Sequence, residues 1–466
     1  MAHIEPLKSS LTLVLGLGES GLAMARWLAR QGVALRVADS RETPPGVERL
    51  RADVPAADIV TGPFSTALLD GVERIAISPG LDPRQPLVLA AKERGISLVG
   101  EMDLLAEALK ASGAETRIIA ITGTNGKTTT TTLAGEMVRA TGLDGVVAGN
   151  ISPAALDVLM ARLDAGQALP QVWVLELSSF QLETGPALEA VSATVLNVTD
   201  DHLDRYAGLD DYAATKAAVF QGAGVQVLNR EDARVKAMAL PGRQVLSFGV
   251  DVPAGADDFG VLHADDGEWL VRGSDKLLKR ADMQLAGSHN VANALAALAL
   301  CEAAGLPRAP LLAALKAFRG LPHRVEKVAE RADGVIYYDD SKGTNVGATV
   351  AALEGLRRKV VLVVGGDGKG QDFSPLKDAF ARYARAVVLI GRDARAIEAA
   401  VAGCGVPLIY AVDMDVAVLE ANARAEAGDV VLLSPACASL DMFRNYAHRA
   451  QVFIDAVKRL PEVSPA

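Results

Sequence analysis

At 466 residues, half of them hydrophobic and 22% charged, the chain is too long for one ordinary core and too apolar to be disordered, so roughly two to four domains are expected. Its formal net charge of −10 argues against a nucleic-acid backbone as the default partner. Cys301, Cys404 and Cys437 are too few and too scattered for a disulfide framework or a metal-ligand pair, and no apolar run reaches the ~18 residues of a membrane span. The opening MAHIEPLKSS lacks a signal peptide's long apolar centre, so a cytoplasmic protein that inserts in no membrane is expected.

Residues 11–40 read strand, glycine turn, helix, strand. Gly16, Gly18 and Gly21 fit G-x-G-x-x-G, and Asp39 closes the next strand where dinucleotide folds place a ribose-binding acid. A lone glycine fingerprint is weak evidence for NAD, because the same turn can hold any nucleotide diphosphate. Short apolar runs at 58–60 and 75–78 continue the α/β alternation, and SPGL at 78–81 is a turn.

A new unit begins near Glu115 and carries the most informative stretch, RIIAITGTNGKTTTTT at 117–132. An apolar run predicts a buried parallel strand, Gly123 and Gly126 a tight loop, and Lys127 with Thr128 the start of a helix. Backbone N–H groups of Gly123, Thr124, Asn125 and Gly126, the helix N-terminus, Lys127, and the Thr128 and Thr129 hydroxyls suit a nucleotide triphosphate with Mg2+. Its first glycine stands only three residues before Gly126, closer than in the generic phosphate loop. The alternative is a glycine-containing strand-to-helix turn with no ligand.

Glu176 ends the predicted strand VWVLELSS, where a carboxylate can reach the Mg2+ of a bound triphosphate. The alternative is an N-cap, a role that Ser178 or Ser179 can fill instead. The strand at VLNVTDDHLDRY runs into Asp200, Asp201, His202 and Asp204, either a site or a solvated loop. Lys216 lies in DDYAATKAAVFQ among Ala213, Ala217 and Phe220. It either snorkels to the surface or is buried, and burial would favour a neutral amine able to add CO2.

Residues 285–300 predict an Ala/Leu helix entered through His289 and Asn290, with Asn293 one turn on; Asn suits a purine edge, and capping is the alternative for Asn290. RGLPHRVE at 319–326 reads as a domain boundary, with Arg324 facing the nucleotide. From Val335 onward VIYYDD, KVVLVVGG, AVVLIG, PLIYAV and DVVLLSP predict a further open α/β sheet. Its strand ends carry Asp340, Ser341, Lys342 and Thr344, then Asp367 and Lys369, then Ser434, Ser439 and Asp441, on the rim where such sheets bind ligands. The tail PEVSPA is expected to fray.

TGTNGKTTT, AGNI, LELSSFQLE, DDHLDRY, SHNVANALAA, GLPHRVE, DDSKGTNVGAT, GGDGKG and SPACASLDMF together resemble the Mur ligase family, in this order over nearly the whole chain. The last motifs resemble the members that add D-glutamate. Gly343 departs from the alanine expected in DSKATN.

The resemblance implies three α/β domains: residues 1–113 Rossmann-like and UDP-binding, 114–320 a P-loop ATPase-like domain with a mainly parallel sheet, and 321–466 a Rossmann-like open sheet. It implies ATP-driven joining of D-glutamate to UDP-N-acetylmuramoyl-L-alanine through an acyl phosphate, by a monomer. The alternative within the superfamily is another Mur or folylpolyglutamate-type amide ligase. An NAD-dependent dehydrogenase would leave the phosphate loop unexplained.

By the same resemblance Ser20, Asp39, Ser40, Arg41 and Gly80 would hold UDP, and Asn150 and Ser178 the sugar-peptide. Thr128, Glu176, His202 and carbamylated Lys216 would bind two Mg2+ ions. Asn290, Asn293, His323 and Arg324 would contact the adenine and phosphates of ATP, and Asp340 its ribose. Lys342, Thr344, Lys369, Ser439, Phe443 and Tyr446 would surround D-glutamate. A closing movement of the C-terminal domain is also expected, since the acyl phosphate must be kept from water.

Overall fold

The computed structural model describes residues 11–202, 204–356, 358–461 and 463–465; the expectation for the N-terminal ten residues lies outside these. Three α/β sheets follow one another along the chain, as the alternation of apolar runs predicts.

The first sheet is wholly parallel, in the spatial order Asp58–Thr61, Ala34–Asp39, Leu11–Leu15, Val72–Ile77, Ser97–Val99. The strand order reverses beside Leu11–Leu15, and a doubly wound sheet opens its ligand crevice at such a point. The helix Glu19–Arg30 leaves from there, burying Ala23, Met24, Trp27 and Leu28 on one face. A Cβ on Gly21 would lie 1.9 Å from the Gly16 carbonyl oxygen, so the last glycine of the motif lets helix and loop touch.

In the second sheet Arg117–Thr122 lies between Val172–Glu176 and Ser192–Val195. Gly145–Gly149 flanks one side; Val225–Asn229 and Val245–Phe248 extend the other, all parallel. Pairing of Ile121 with Glu176 and of Thr122 with Val195 puts three strand ends side by side around the phosphate loop. Three further strands, Asp258–Ala264, Gly267–Arg272 and Asp275–Lys279, add an edge that the sequence reading did not foresee.

The third sheet runs Leu408–Tyr410, Ala384–Ile390, Val360–Gly365, Val430–Leu433, Ile336–Asp339, Glu326–Arg331, Val463–Pro465. Its first five strands are parallel, and Val360–Gly365 and Val430–Leu433 are buried throughout, which explains their unbroken Val/Leu runs. The tail does not simply fray. Val463–Pro465 pairs antiparallel with Glu326–Arg331 and covers an edge that would otherwise leave backbone groups open.

The chain divides into two compact units. One comprises the described parts of Met1–Val198, His202–Leu278 and Ala294–Leu315, with the first two sheets. The other comprises the described parts of Thr199–Asp201, Lys279–Asn293 and Lys316–Ala466, with the third.

Candidate active site

In the first unit the phosphate loop is already shaped. Gly126 caps the helix Lys127–Ala140 at φ 83°, and Gly123 has φ 149°, with a hypothetical Cβ 2.9 Å from that of Leu196. Both positions therefore require glycine. Asn197, just beyond Ser192–Val195, pins the loop. Its carbonyl accepts from Thr124 N (2.9 Å), its Oδ1 from Asn125 N (2.8 Å), and its Nδ2 donates to Asn125 O (3.1 Å). Lys127 Nζ folds back to donate to Gly123 O (2.9 Å) and Thr124 O (2.8 Å). Thr128 stands in the helix's first turn, and Thr129 behind it is buried.

Lys216 reaches the same carbonyl. It is 1% exposed, its Nζ donates to Gly123 O at 3.0 Å, and it lies 4.4 Å from the Tyr212 ring centre. The sequence left a snorkelling and a buried lysine open, and the chain buries it: Tyr212 and Lys216 occupy successive turns of Leu209–Ala217. Tyr212 lies 3.5 Å from Thr124 Oγ1 through its hydroxyl, while the His202 ring sits 4.7 Å from Phe180 and 6.4 Å from Tyr212. His202 adopts φ 53°, an uncommon backbone state for a residue with a side chain.

Glu176 is 2% exposed at its strand's end. Its Oε1 accepts from Asn150 Nδ2 at 2.8 Å, and its Oε2 has no hydrogen-bond partner among the described residues. A buried carboxylate oxygen left over in this way fits a cation. Gly149, at φ 108°, lets the neighbouring strand approach, since a Cβ there would meet Glu176 O at 2.3 Å. Ser178 is the N-cap of Ser179–Leu182, accepting from Gln181 N, so Glu176 has no capping duty.

On the first sheet, Asp39 accepts from Leu17 N (2.7 Å), Arg41 N (2.9 Å), Arg41 Nε (2.8 Å) and Arg41 Nη2 (2.7 Å). The guanidinium and these N–H groups hold its carboxyl down at about 2. Ser40, Arg41 and Gly80 stand exposed at the same rim, and Ser20 donates to Glu101, whose burial raises its carboxyl above the usual range. Near this rim a small cleft is lined by Ser78, Leu81, Glu101, Phe180, Gln181 and Glu183.

In the second unit Asn290 and Asn293 are buried in the first turns of Ser288–Ala303. Asn290 Nδ2 donates back to Ala286 O (2.7 Å), and Asn293 Nδ2 to Asn290 Oδ1 (3.3 Å). His323 Nδ1 pairs with the fully buried Asp339 carboxylate at 2.6 Å, which fixes the ring. Asp340 accepts from Ser434 Oγ (2.7 Å); burial pushes its carboxyl up to about 7 against the pull of Ser434 and Arg324. Gly343 leaves room for this arrangement, since a Cβ there would sit 2.5 Å from Asp340 Oδ2.

Lys342 Nζ lies 3.9 Å from the Tyr446 ring centre, and the Phe443 ring stands edge-on to His448. Ser439 is buried, and its carbonyl accepts from Phe443 N (2.8 Å). Thr344 and Lys369 are exposed, the latter at φ 51°. The loops after Ile336–Asp339, Val360–Gly365 and Val430–Leu433 leave adjacent parallel strands at one rim, and Asp367 bridges to Ala438.

Sequence models described as the Mur ligase middle domain, the MurD-like N-terminal domain and the Mur ligase glutamate ligase domain match residues 121–301, 10–100 and 323–437. A protein of Aromatoleum aromaticum called "UDP-N-acetylmuramoylalanine--D-glutamate ligase" is 66% identical over 97% of each chain. One of the same name from Dechloromonas aromatica is 56% identical over 97% of this chain and 99% of that one. The chain belongs to the Mur ligase family. Among solved structures, MurF from Acinetobacter baumannii aligns with a TM-score of 0.58 at 17% identity over 98% of this chain and 92% of that one. A pseudomurein peptide ligase type C from Methanothermus fervidus aligns at 0.55 and 17% over 96% and 100%; at these identities both bear on the fold alone.

As a Mur ligase the chain is an ATP-dependent enzyme. Sequence reasoning missed Asn197, Tyr212, Asp339 and Arg449. Asn197 was legible in principle, as an Asn directly after a strand next to the loop's own strand. Arg449 stands out only as a charge at a core position of its helix, and Tyr212 and Asp339 signal nothing until the packing is known.

Proposed function

We propose that the chain joins D-glutamate to UDP-N-acetylmuramoyl-L-alanine in peptidoglycan synthesis, releasing ADP and phosphate. The observation that carries this is the 66% identity, end to end, with a relative named for that reaction. The reaction runs in the cytoplasm, and among the described residues no helix is long and apolar enough to cross a membrane. We read the three sheets as three domains, residues 1–113, 114–320 and 321–466, and the protein as a monomer.

A carboxylate is a poor acyl donor. In the first step an oxygen of the alanyl carboxylate bonds to the γ-phosphorus of ATP, and ADP leaves with the electron pair of the broken bond. The amine of D-glutamate then attacks the carbonyl carbon and gives up a proton, and phosphate departs with the electron pair of the broken C–O bond as the amide forms. Lys127 and the N-terminus of its helix hold the phosphates and stabilise the charge that develops on the transferred group, while the Thr124 and Asn125 N–H groups, expected to face the phosphates, instead donate to Asn197 and keep the loop in shape. Asp39 shapes the UDP-binding turn through Leu17 N, and Arg41 offers its half-exposed guanidinium to the diphosphate or ribose. In the second unit Asn290, Asn293, His323, Arg324 and Asp340 serve the nucleotide. Lys342, Thr344, Lys369 and Ser439, with Phe443 and Tyr446, serve the two glutamate carboxylates.

The leftover Glu176 oxygen and the Thr128 hydroxyl fit Mg2+; His202 and Lys216 would serve a second ion, Lys216 as a carbamate. Bound Mg2+ supplies positive charge to the phosphate oxygens and the acceptor carboxylate. The test is phosphate release with ATP, Mg2+ and UDP-N-acetylmuramoyl-L-alanine, comparing D-glutamate with L-glutamate, L-alanine and diaminopimelate. Release with D-glutamate alone is expected. Release with a different amino acid would move the chain to another Mur-type ligase activity.

A further inference from the structure

Arg449 is a fully buried guanidinium on the helix Tyr446–Lys458. It makes no ion pair among the described residues; its hydrogen bonds go to uncharged oxygens. Nε donates to Ser341 Oγ (3.0 Å), Nη2 to Ser341 O (2.8 Å) and Nη1 to Cys437 O (3.1 Å). Burial without a close carboxylate pulls its pKa down to about 10, with Asp339, Asp340 and Asp441 opposing from further away. Stability alone gives little reason for it, since a well-packed apolar side chain would spare the cost of desolvating a charge.

Its acceptors show what it does. Ser341 lies in the loop after Ile336–Asp339, and Cys437 in the loop after Val430–Leu433, two strands paired directly with Asp339 opposite Leu433. The planar fork therefore ties together two loops that leave neighbouring strands. Lys342 follows Ser341, and Ser439 stands two residues after Cys437. Ser341 Oγ in turn donates to Tyr446 O (2.8 Å), and the Tyr446 ring packs under Lys342 Nζ. One side chain thus fixes the relative position of a cation, a hydroxyl and an aromatic ring. A lysine at this position would keep the charge but could not span both loops with fixed geometry.

We propose that Arg449 is a positioning residue that sets the spacing of Lys342 and Ser439, and through it the affinity and choice of the incoming amino acid. The inference rests on the function proposed above and on those two residues meeting the glutamate carboxylates.

The experiment is steady-state phosphate release by the full chain and by Arg449→Lys, varying D-glutamate, ATP and the UDP-sugar-peptide in turn. In the variant, KM for D-glutamate is expected to rise at least about ten-fold and the preference over L-glutamate and D-aspartate to shrink, with KM for ATP within about two-fold. KM for D-glutamate within about two-fold of wild type would overturn the inference, as would all three KM values rising together with a lower Tm. Should Arg449→Lys not fold, Ser341→Ala decides: it removes the hydroxyl that accepts from Arg449 and donates to Tyr446 O, and leaves the Ser341 carbonyl, so a selective rise in KM for D-glutamate of about three-fold is expected, and none would overturn the proposal. Wild-type protein in the same assay separates the two ideas. If it releases no phosphate with D-glutamate, the functional reading fails, and the inference with it.

Discussion

Replacing Asp39 by Asn removes a charge that the first sheet is built to hold. The wild-type carboxylate takes two bonds from the Arg41 guanidinium and two from backbone N–H groups, and sits near 2 against an ordinary 3.8. A carboxyl lowered in the folded state stabilises the protein fully above its unfolded pKa and loses that contribution as pH falls through the folded value. The difference is worth about 2.4 kcal/mol near neutral pH and about 1.3 kcal/mol near pH 3. Because the Arg41 side chain is 53% exposed, solvent screening reduces its share, and a loss of about 1–2 kcal/mol is expected at neutral pH. Urea unfolding of wild type and Asp39→Asn between about pH 3 and pH 8 measures this directly, with the gap narrowing toward acid. A gap that is constant across the range would show that the carboxylate's charge contributes nothing and that the loop is held by packing. Weaker binding of UDP by the variant should accompany the loss, because Leu17 N belongs to the same turn.

Asn197→Ala removes two of the three bonds that pin the phosphate loop; KM for ATP should rise several-fold and stability should fall by about 1–3 kcal/mol, whereas an unchanged KM would mean the loop holds its own shape. Lys216 should bind CO2: stripping bicarbonate from the buffer should slow turnover and restoring it should recover activity, and 13C-bicarbonate should give a carbamate resonance that disappears in Lys216→Met. Absence of that resonance in active enzyme would remove the carbamate from the mechanism. For Asp340 the sign is reversed relative to Asp39, since a carboxyl raised to about 7 binds its proton more tightly in the folded state, so its contribution declines as pH rises from about 4 to 7. Asp340→Asn should therefore gain stability relative to wild type on going from pH 5 to pH 8, by at most about 2.6 kcal/mol; a parallel pH profile would refute the buried, proton-binding carboxyl.

The strands themselves and the glycine loop were legible because they are written locally. Unbroken Val/Ile/Leu runs mark strands buried on both faces, and glycines at Gly123 and Gly126 mark backbone that no other residue adopts easily. Lys216 was only half legible. Its alanine neighbours fit either a surface stem or a core, and its burial depends on Tyr212 one turn earlier packing with Thr124 across the sheet top. The edge strands from Asp258 to Lys279 went unread, since short hairpins with mixed polarity look like loops until the neighbouring edge is known. Val463–Pro465 was misjudged for a related reason: a three-residue tail has no period of its own, and only the open edge of Glu326–Arg331 gives it a partner.

Arg449 shows what kind of information the sequence withholds. On its helix it occupies a position that periodicity assigns to the core, between Tyr446 and Phe453, where an arginine reads as an anomaly. It becomes intelligible once Ser341 and Cys437 are known to end adjacent strands, and that adjacency comes from the crossover that inserts Val430–Leu433 between Ile336–Asp339 and Val360–Gly365. The polar clusters at strand ends could be recognised as a rim because parallel strands share an end. What sets distances along that rim is a residue over a hundred positions away from one of its partners, placed there by topology.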